Sequence, residues 1–456
     1  MENISQKKVV ITPKAVSGFP EWLPEEKILE NRLLDIIRQY YERYGFSPIE
    51  TPAVERQEVL TAKGGNEKEI YSLSRLRAED GDVKELALHF DLTVPLARYV
   101  AQHYGELAFP FRRYQIQKVW RGERPQSGRF REFYQADIDI IGDGELTLLA
   151  DAEIPSIIYQ IFKTMNIGPF VIKVNNRKIL QGYFEYLGVP KENWVDVINT
   201  VDDLEKVGTE QVLSRLASGE FNLTFQSAQQ LLSFISVEFK SNSDKELHNL
   251  KDMQVNELFQ TGVDELIEVV RGVRALGVPD ENFSIDLKVA RGLDYYTGTV
   301  YETILVQHPG IGSICSGGRY DDLASHFIAK KLPGVGISIG VTRLLSRLLK
   351  AGILSAGSAT VAPVLVTAMD PSRRLEYLRF ASMLREEGVN TEVYLENRRI
   401  GDQLKYANRK KFAIAIIAGE VEFLDDSVVV KNLRTGDQEK IPVSMFVQKV
   451  KSILKG

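Results

Sequence analysis

Residues 133–141 read FYQADIDII, and their two-residue alternation constrains the fold more than any other stretch. Tyr134, Ala136, Ile138 and Ile140 share one parity, while Gln135, Asp137 and Asp139 share the other. Successive side chains of a strand point to opposite faces, so the spacing predicts a strand with one apolar face and one face carrying an amide and two carboxylates. A preceding run ends at Trp120-Arg121, and Pro125 with Ser127-Gly128 supplies turn chemistry between the two, which reads as an antiparallel hairpin. A polar strand face needs a partner, and solvent is the commonest one. The hairpin, however, lies in an Arg-dense stretch, FRRYQIQKVWRGERPQSGRFREFYQADIDIIG (residues 111–142).

A chain of 456 residues exceeds what one core supports, so two or three domains are expected. Leu29, Leu33, Ile36, Ile37, Tyr40 and Tyr44 fall at helical spacing and Gly45 follows as a C-cap. That helix meets a strand near FSPIETPAV, where Pro52 points to a sheet edge or a subunit contact. Residues 176–280, with FQSAQQLLSFISVEF and VDELIEVVRGVRALGV, read as an inserted helical subdomain. The strand pattern resumes at 285–306 and 311–316, passes SGGRYDDL, and reaches GVGISIGV before the apolar-periodic TRLLSRLLK. That junction puts Arg343 in the first turn of a helix, where exposed N–H groups and the helix dipole favour an anion.

Residues 351–360 are small and turn-prone and make a linker. Beyond them strands and helices alternate through VLVTAM, a helix from Pro371 to about Leu384, TEVYLE, the segment 402–408, FAIAIIAG and VVVKN. This is an α/β unit of about 95 residues, a normal size for a small domain. The expected organisation is a catalytic domain over 1–350 containing the 176–280 insertion, the linker 351–360, and a C-terminal α/β domain over 361–456.

Hydrophobic content of 44% and charged content of 26% fit an ordinary soluble globular protein. No apolar run approaches the roughly 20 residues needed to cross a bilayer, and MENISQKKVVITPK lacks a signal-peptide core, so a cytoplasmic protein with no membrane partner is expected. Cys315, the sole cysteine, excludes an internal disulfide and a cysteine-cluster metal site, and reads as a small buried strand residue. His103 and His248 lack ligand spacing, so no structural metal is expected. The net charge of −5 excludes whole-molecule attraction to nucleic acid. Residues 361–456 carry 16 Lys+Arg against 13 Asp+Glu, or +3, leaving 41 against 49, or −8, for the rest. Any nucleic-acid contact is therefore local.

The stretch RGLDYYTGTVYE (291–302) places one arginine, one carboxylate and two adjacent tyrosines in a turn opening onto a strand. Arg121, Arg291 and Arg343, each at the edge of a strand or helix, suggest a polyphosphate site, because guanidinium groups bind phosphate bidentately and stay charged at any working pH. Glycines 317, 318, 334, 336 and 340 allow close backbone approach to a ligand.

Together these motifs resemble the histidyl-tRNA synthetase family of class II aminoacyl-tRNA synthetases over nearly the full length. The helix and strand ending at Pro52 resemble the first class II motif, the hairpin over 115–141 the second, and 334–348 the third. RGLDYYTGTVYE and SICSGGRYDDL resemble the two stretches peculiar to the histidine enzymes. The resemblance implies an antiparallel-sheet catalytic domain, a C-terminal anticodon-binding domain and a homodimer joined through the first motif. It also implies a reaction in which the histidine carboxylate attacks the α-phosphorus of ATP, pyrophosphate leaves, and the 3′-terminal ribose of tRNA(His) takes the histidyl group. Mg2+ is expected to accompany ATP. Such chemistry is mainly positioning and charge stabilisation, which suits fixed cations.

By this resemblance Arg121 faces the α-phosphate and Arg343 the γ-phosphate, with Glu123, Arg129 and Phe133 completing the ATP contacts. Arg291 is the catalytic arginine, facing the α-phosphate and the substrate carboxylate where related enzymes use a metal ion; Arg121 shares that catalytic role, and both border the histidine. Asp91, Thr93 and Gln135 match the amino-group contacts, Asp139 and Tyr296 the imidazole contacts, and Tyr295 and Tyr320 line the same pocket. Gln126 matches a tRNA acceptor-end contact. Three positions depart from the commoner pattern: His89 replaces an arginine, Thr342 a glutamate, and Asp139 the longer glutamate of many bacterial members. The main alternative is a histidine-binding regulatory paralogue without catalysis; the retained Arg121, Arg291, Arg343 and α/β tail argue against it. A class II synthetase for another amino acid is disfavoured by Asp139 and the paired tyrosines.

Overall fold

The computed structural model describes residues 11–62, 67–77, 85–124, 128–237, 239, 244–289, 296–322 and 324–455. The chain forms two compact units, one from the described parts of Met1–Pro20 and Leu33–Leu354 and one from Glu21–Arg32 with Ser355–Gly456.

In chain order the first unit contains β1 (Ser47–Pro48), β2 (Val54–Arg56), β3 (Ser72–Leu73), β4 (Leu86–Leu88), β5 (Phe111–Trp120), β6 (Glu132–Ile141), β7 (Phe170–Asn176), β8 (Phe283–Ile285), β9 (Thr299–Leu305), β10 (Cys315–Tyr320) and β11 (Gly334–Gly340). Eight of them make one sheet in the order β1-β5-β6-β11-β10-β9-β7-β8, and β2-β4-β3 make a small second sheet. The large sheet is mixed and mostly antiparallel; only the outer pairs β1–β5 and β7–β8 run parallel. The hairpin read from the alternation is β5–β6, ten residues on each side.

The apolar parity of β6 is core: Ala136, Ile138 and Ile140 are buried, as are Val335, Ile337 and Ile339 of β11. Tyr41 of the helix Pro24–Arg43 closes this face by donating its hydroxyl hydrogen to the Ala136 carbonyl at 2.9 Å. Acidic Glu25 and Glu26 in that helix's first turn and Arg43 in its last complement the helix dipole, and Gly45 ends it at φ 77°.

Two strand expectations are corrected. The run 285–306 is not continuous: β8 stops at Ile285, where the Asp286 side chain accepts from Lys288 N–H at 3.0 Å in a local turn, and β9 begins at Thr299. The strand expected at 311–316 lies instead at Cys315–Tyr320, within the glycine-rich run that reads as a turn. Its glycines are there for sheet packing, since a Cβ on Gly317 would sit 2.1 Å from the Gly336 carbonyl oxygen of the neighbouring strand. Within FSPIETPAV, Ser47–Pro48 is strand at the sheet edge beside β5, where prolines lacking an N–H are tolerated, and Val54 begins β2.

Between β7 and β8 the described residues form a run of helices from Arg177–Tyr186 to Glu257–Ala275, followed by a 3-10 turn at Asp280–Asn282. The first and last of these helices cross at glycine contacts: a Cβ on Gly182 would meet the Phe259 nitrogen at 2.6 Å, and one on Gly262 the Ile179 nitrogen at 2.7 Å.

The second unit carries β12 (Val364–Val366), β13 (Thr391–Val393), β14 (Ile414–Ile417), β15 (Ser427–Asn432) and β16 (Gln438–Pro442), ordered β13-β12-β14-β15-β16. Val364, Val366, Phe380, Leu384, Ile414 and Phe446 belong to its core. Neither β16 nor the final helix Phe446–Lys455 is foreseen from the sequence; β16 buries Ile441 alone, so it has no alternation to read.

Gly317→Ala is expected to destabilise the protein by ~1–3 kcal/mol, because the colliding atoms are backbone and cannot step aside. A thermal melt checks this, and an unchanged Tm contradicts the close strand approach.

Candidate active site

Pairing of β5, β6 and β11 stacks three polar rows on the face opposite the core. Asp139 pairs with Arg113 on one side and Gly336 on the other, Asp137 with Gln115 and Ser338, and Gln135 with Gln117 and Gly340. This face does not meet solvent: Gln135, Asp137 and Asp139 are 5%, 2% and 4% exposed. They line a cavity of about 320 Å³. Glycine on β11 makes the room, since a Cβ on Gly336 would lie 2.3 Å from Asp139 Oδ1.

Three segments supply the rest of the wall. The turn after β4 brings in Asp91 and Thr93, β6 and its approach supply Arg121, Glu123, Arg129 and Phe133, and β9–β11 with the following helix supply Tyr296, Tyr320 and Arg343. Thus eleven residues singled out in the sequence, counting Gln135 and Asp139, share one cavity. Gln126, Arg291 and Tyr295 lie outside the described residues.

Asp91 Oδ1 accepts from the Val94 N–H at 3.1 Å at the start of the helix Thr93–Gln102, while its buried Oδ2 has no hydrogen-bond partner among the described residues. Arg121 is fixed at its Nε, which donates to the Phe90 carbonyl at 2.9 Å; its Nη2 donates to Gln135 Oε1 at 3.2 Å, and its guanidinium lies 5.2 Å from the Phe133 ring centroid. Gln135 Nε2 in turn donates to Ser338 Oγ at 2.9 Å and to the Asp137 carboxylate at 3.2 Å. Tyr320 donates its hydroxyl hydrogen to Asp139 Oδ1 at 2.9 Å. Glu123 and Arg129 form an ion pair at 2.9 Å at the cavity's more open side. Arg343 is the third residue of the helix Val341–Lys350, so its position in the first turn is as read from the sequence.

Burial dominates the electrostatics. It raises the Asp91 carboxyl to about 6, against the lowering influence of the Val94 N–H and Arg121. Burial likewise raises Asp139 to about 7, with Arg113 the main opposing influence, and also raises Asp137. The Cys315 thiol, in the cavity wall, is pushed up by burial and stays protonated.

Several contributors were not singled out. Asp137 shares the parity of Gln135 and Asp139, which was the available signal; Ser338 and Arg347 lie two and four residues from Gly336 and Arg343, the second at helical spacing. Arg113 was read only as part of an Arg-dense stretch. Of the departures from the family pattern, His89 is buried, its Nε2 lies 2.7 Å from the Lys118 carbonyl oxygen, and burial lowers its pKa, so the ring is neutral near pH 7. Thr342 Oγ1 accepts from the Tyr134 N–H at 3.0 Å, tying the helix start to β6.

The folded Asp91 at about 6, against an unfolded value of 3.8, means that the native state binds more protons between those limits, so stability declines as pH rises through them. Asp91→Asn keeps the Val94 acceptor and removes the buried charge. Its stability relative to wild type is therefore expected to increase by up to about 3 kcal/mol as pH is raised from about 4 to about 7. Denaturant melts at a series of pH values check this; a pH-independent difference contradicts the assigned burial.

A sequence profile of the family described as histidyl-tRNA synthetase matches residues 18–344, and one described as anticodon binding domain matches 363–453. A histidine–tRNA ligase of Clostridium tetani is 46% identical over 451 residues, covering 98% of this chain and all of that one. One from Nostoc sp. is 46% identical over 448 residues, covering 95% and 96%. The crystal structure of histidyl-tRNA synthetase from Nostoc sp. PCC 7120 superposes with a TM-score of 0.89 at 45% identity, over 97% of this chain and all of that one. A Bacillus halodurans structure titled as an ATP phosphoribosyltransferase regulatory subunit/histidyl-tRNA synthetase shares the fold at 20% identity, with a TM-score of 0.70. With a class II catalytic unit, its mixed and mostly antiparallel sheet, and a C-terminal α/β anticodon-binding domain, the chain belongs to the histidyl-tRNA synthetase family.

Proposed function

We propose that the protein is a histidine–tRNA ligase, activating histidine with ATP to histidyl-adenylate and pyrophosphate and then passing the histidyl group to the 3′ end of tRNA(His). The observation that carries this reading is a single cavity holding two kinds of acceptor at opposite needs of one amino acid. Asp91, with a buried oxygen lacking a hydrogen-bond partner among the described residues, suits an ammonium group, and Asp139, held by Tyr320, suits an imidazole N–H.

Thr93 and Gln135 complete the ammonium contacts, and Tyr296 and Tyr295 close over the ring. An aromatic wall with a carboxylate at its end has no use in a pocket for an aliphatic side chain, and leaving the cavity-facing acceptor positions of Asp139 unfilled penalises such substrates. Arg121, fixed through its Nε and aromatic contact, presents its remaining donors to the substrate carboxylate and the α-phosphate. Arg343, at a helix start, receives the γ-phosphate. Arg291 faces the developing charge on the α-phosphoryl oxygens, and Glu123, Arg129 and Phe133 hold the adenosine end. Mg2+ accompanies the nucleotide as its counter-ion.

The C-terminal domain, net +3 by sequence, binds the anticodon stem-loop through bases as well as phosphates, and Gln126 touches the acceptor end. The first class II motif, with β1 at the edge of the sheet, joins two copies into a homodimer. Among the described residues no helix is long and apolar enough to cross a membrane, and we place the enzyme in the cytoplasm with its substrates.

ATP–pyrophosphate exchange measured with each of the twenty amino acids tests catalysis and specificity together. Exchange with histidine alone is expected; histidine binding without exchange would favour the regulatory reading, and exchange with another amino acid would reject the pocket assignment. Arg121→Ala is expected to lower kcat by about 10²–10³, and Arg291→Ala to abolish exchange with an unchanged Tm. Near wild-type exchange in either variant would reject its role.

A further inference from the structure

Arg113 is fully buried, 0% exposed, and does not line the cavity. It sits behind Asp139 as that residue's cross-strand partner on β5, with Nη2 at 2.5 Å from Asp139 Oδ2. Among the described residues its Nε, Nη1 and Nη2 find no hydrogen-bond partner of good geometry, the contact to Asp139 being an ion pair. Among the described residues its one ion pair is with Asp139, and its charge also acts on the neighbouring Asp137 and Asp91. A buried guanidinium with so little compensation is costly, and a neutral side chain would serve a purely structural strand position better.

We propose that Arg113 is a positioning and specificity residue, holding Asp139 from behind as a negatively charged acceptor so that the cavity selects a ring N–H. This rests on the histidine–tRNA ligase reading and deepens it.

Asp139 is gripped at both oxygens, Oδ2 by Arg113 and Oδ1 by the Tyr320 hydroxyl. A carboxylate offers about four acceptor positions, so lone pairs remain for the cavity. Gly336 keeps that side clear, since its missing Cβ would lie 2.3 Å from Oδ1. The ionisable groups around Asp139 are Arg113 on β5, Asp137 on its own strand, Asp91 before the helix Thr93–Gln102, Tyr320 on β10, Tyr296 and, from the helix Pro24–Arg43, Tyr41. β11 contributes no titratable side chain at the paired positions Gly336 and Ser338. Burial and the two acidic neighbours favour a protonated Asp139, and Arg113 is the principal influence in the other direction. Loss of Arg113 would turn the acceptor into a donor near neutral pH, reversing the hydrogen bond offered to the substrate ring.

The test is histidine-dependent ATP–pyrophosphate exchange by the full-length protein, wild type, Arg113→Met and Arg113→Lys, over about pH 6.5 to 9. Removing one member of a charged hydrogen-bonded set typically costs tenfold to several hundredfold in affinity. Arg113→Met is expected to raise the histidine KM by about 30-fold or more near pH 7, with the KM for ATP within about threefold of wild type. That histidine KM is expected to fall towards the wild-type value as pH rises and Asp139 ionises. Arg113→Lys, retaining the charge, is expected to recover most of the affinity and the wild-type pH profile. An Arg113→Met KM that is raised equally at every pH, an equal rise for ATP, or an Arg113→Lys variant as impaired as Arg113→Met would overturn the proposal. If Arg113→Met does not fold, the pH profile of Arg113→Lys decides: a wild-type profile supports the role, and a pH-independent loss of affinity overturns it. Failure of the wild type to exchange with histidine would instead reject the underlying functional reading.

Discussion

Everything at the cavity depends on the register of three antiparallel strands. With Asp139 opposite both Arg113 and Gly336, the polar parity of β6 falls under the cavity and the apolar parity under the helix carrying Tyr41. A slip of one residue would exchange the faces, sending Ile138 into the site and Asp139 into the core. The register is held on both faces: cross-strand isoleucines pack on one, and on the other Gln115 and Gln117 reach Thr51 while Gln135 reaches Ser338. The same contacts that specify the fold therefore aim the functional groups.

That arrangement leaves the free protein with a deliberate imbalance. Asp91, Asp137 and Asp139 are buried close enough to raise one another's affinity for protons, and Arg113 and Arg121 only partly offset them. In the proposed reading, a substrate ammonium group beside Asp91 would supply positive charge where the fold withholds it, so that binding energy would be realised against a preorganised wall rather than against mobile side chains. The rigidity is visible in the polar groups: Arg121 is pinned through Nε and Asp139 through both oxygens.

Much of this was legible in the chain because strand parity survives any tertiary context. The alternation over 133–141 predicted the hairpin and grouped Gln135 with Asp139, and the apolar-periodic helix after GVGISIGV put Arg343 in its first turn. What parity could not say is which face meets water. Here Asp91, Arg121, Tyr296 and Tyr320 wall the carboxylate face, and the glycines of the neighbouring β10 and β11 read locally as turn although their role is to admit a neighbour's backbone or the Asp139 side chain. Arg113 was hidden for a related reason: one arginine among several in a basic stretch has no local mark showing that it alone is fully buried. His89 and Thr342, which depart from the commoner residue types, each make a structural contact, to the Lys118 carbonyl and the Tyr134 N–H respectively.

The most direct measurement is a crystal structure of the protein with histidine and a non-hydrolysable ATP analogue. The account predicts an imidazole N–H within about 3 Å of Asp139, the ammonium group at a similar distance from Asp91 Oδ2, and the carboxylate turned towards Arg121 and the α-phosphate. An amino acid bound with its ring away from Asp139, or a nucleotide bound outside this cavity, would contradict it.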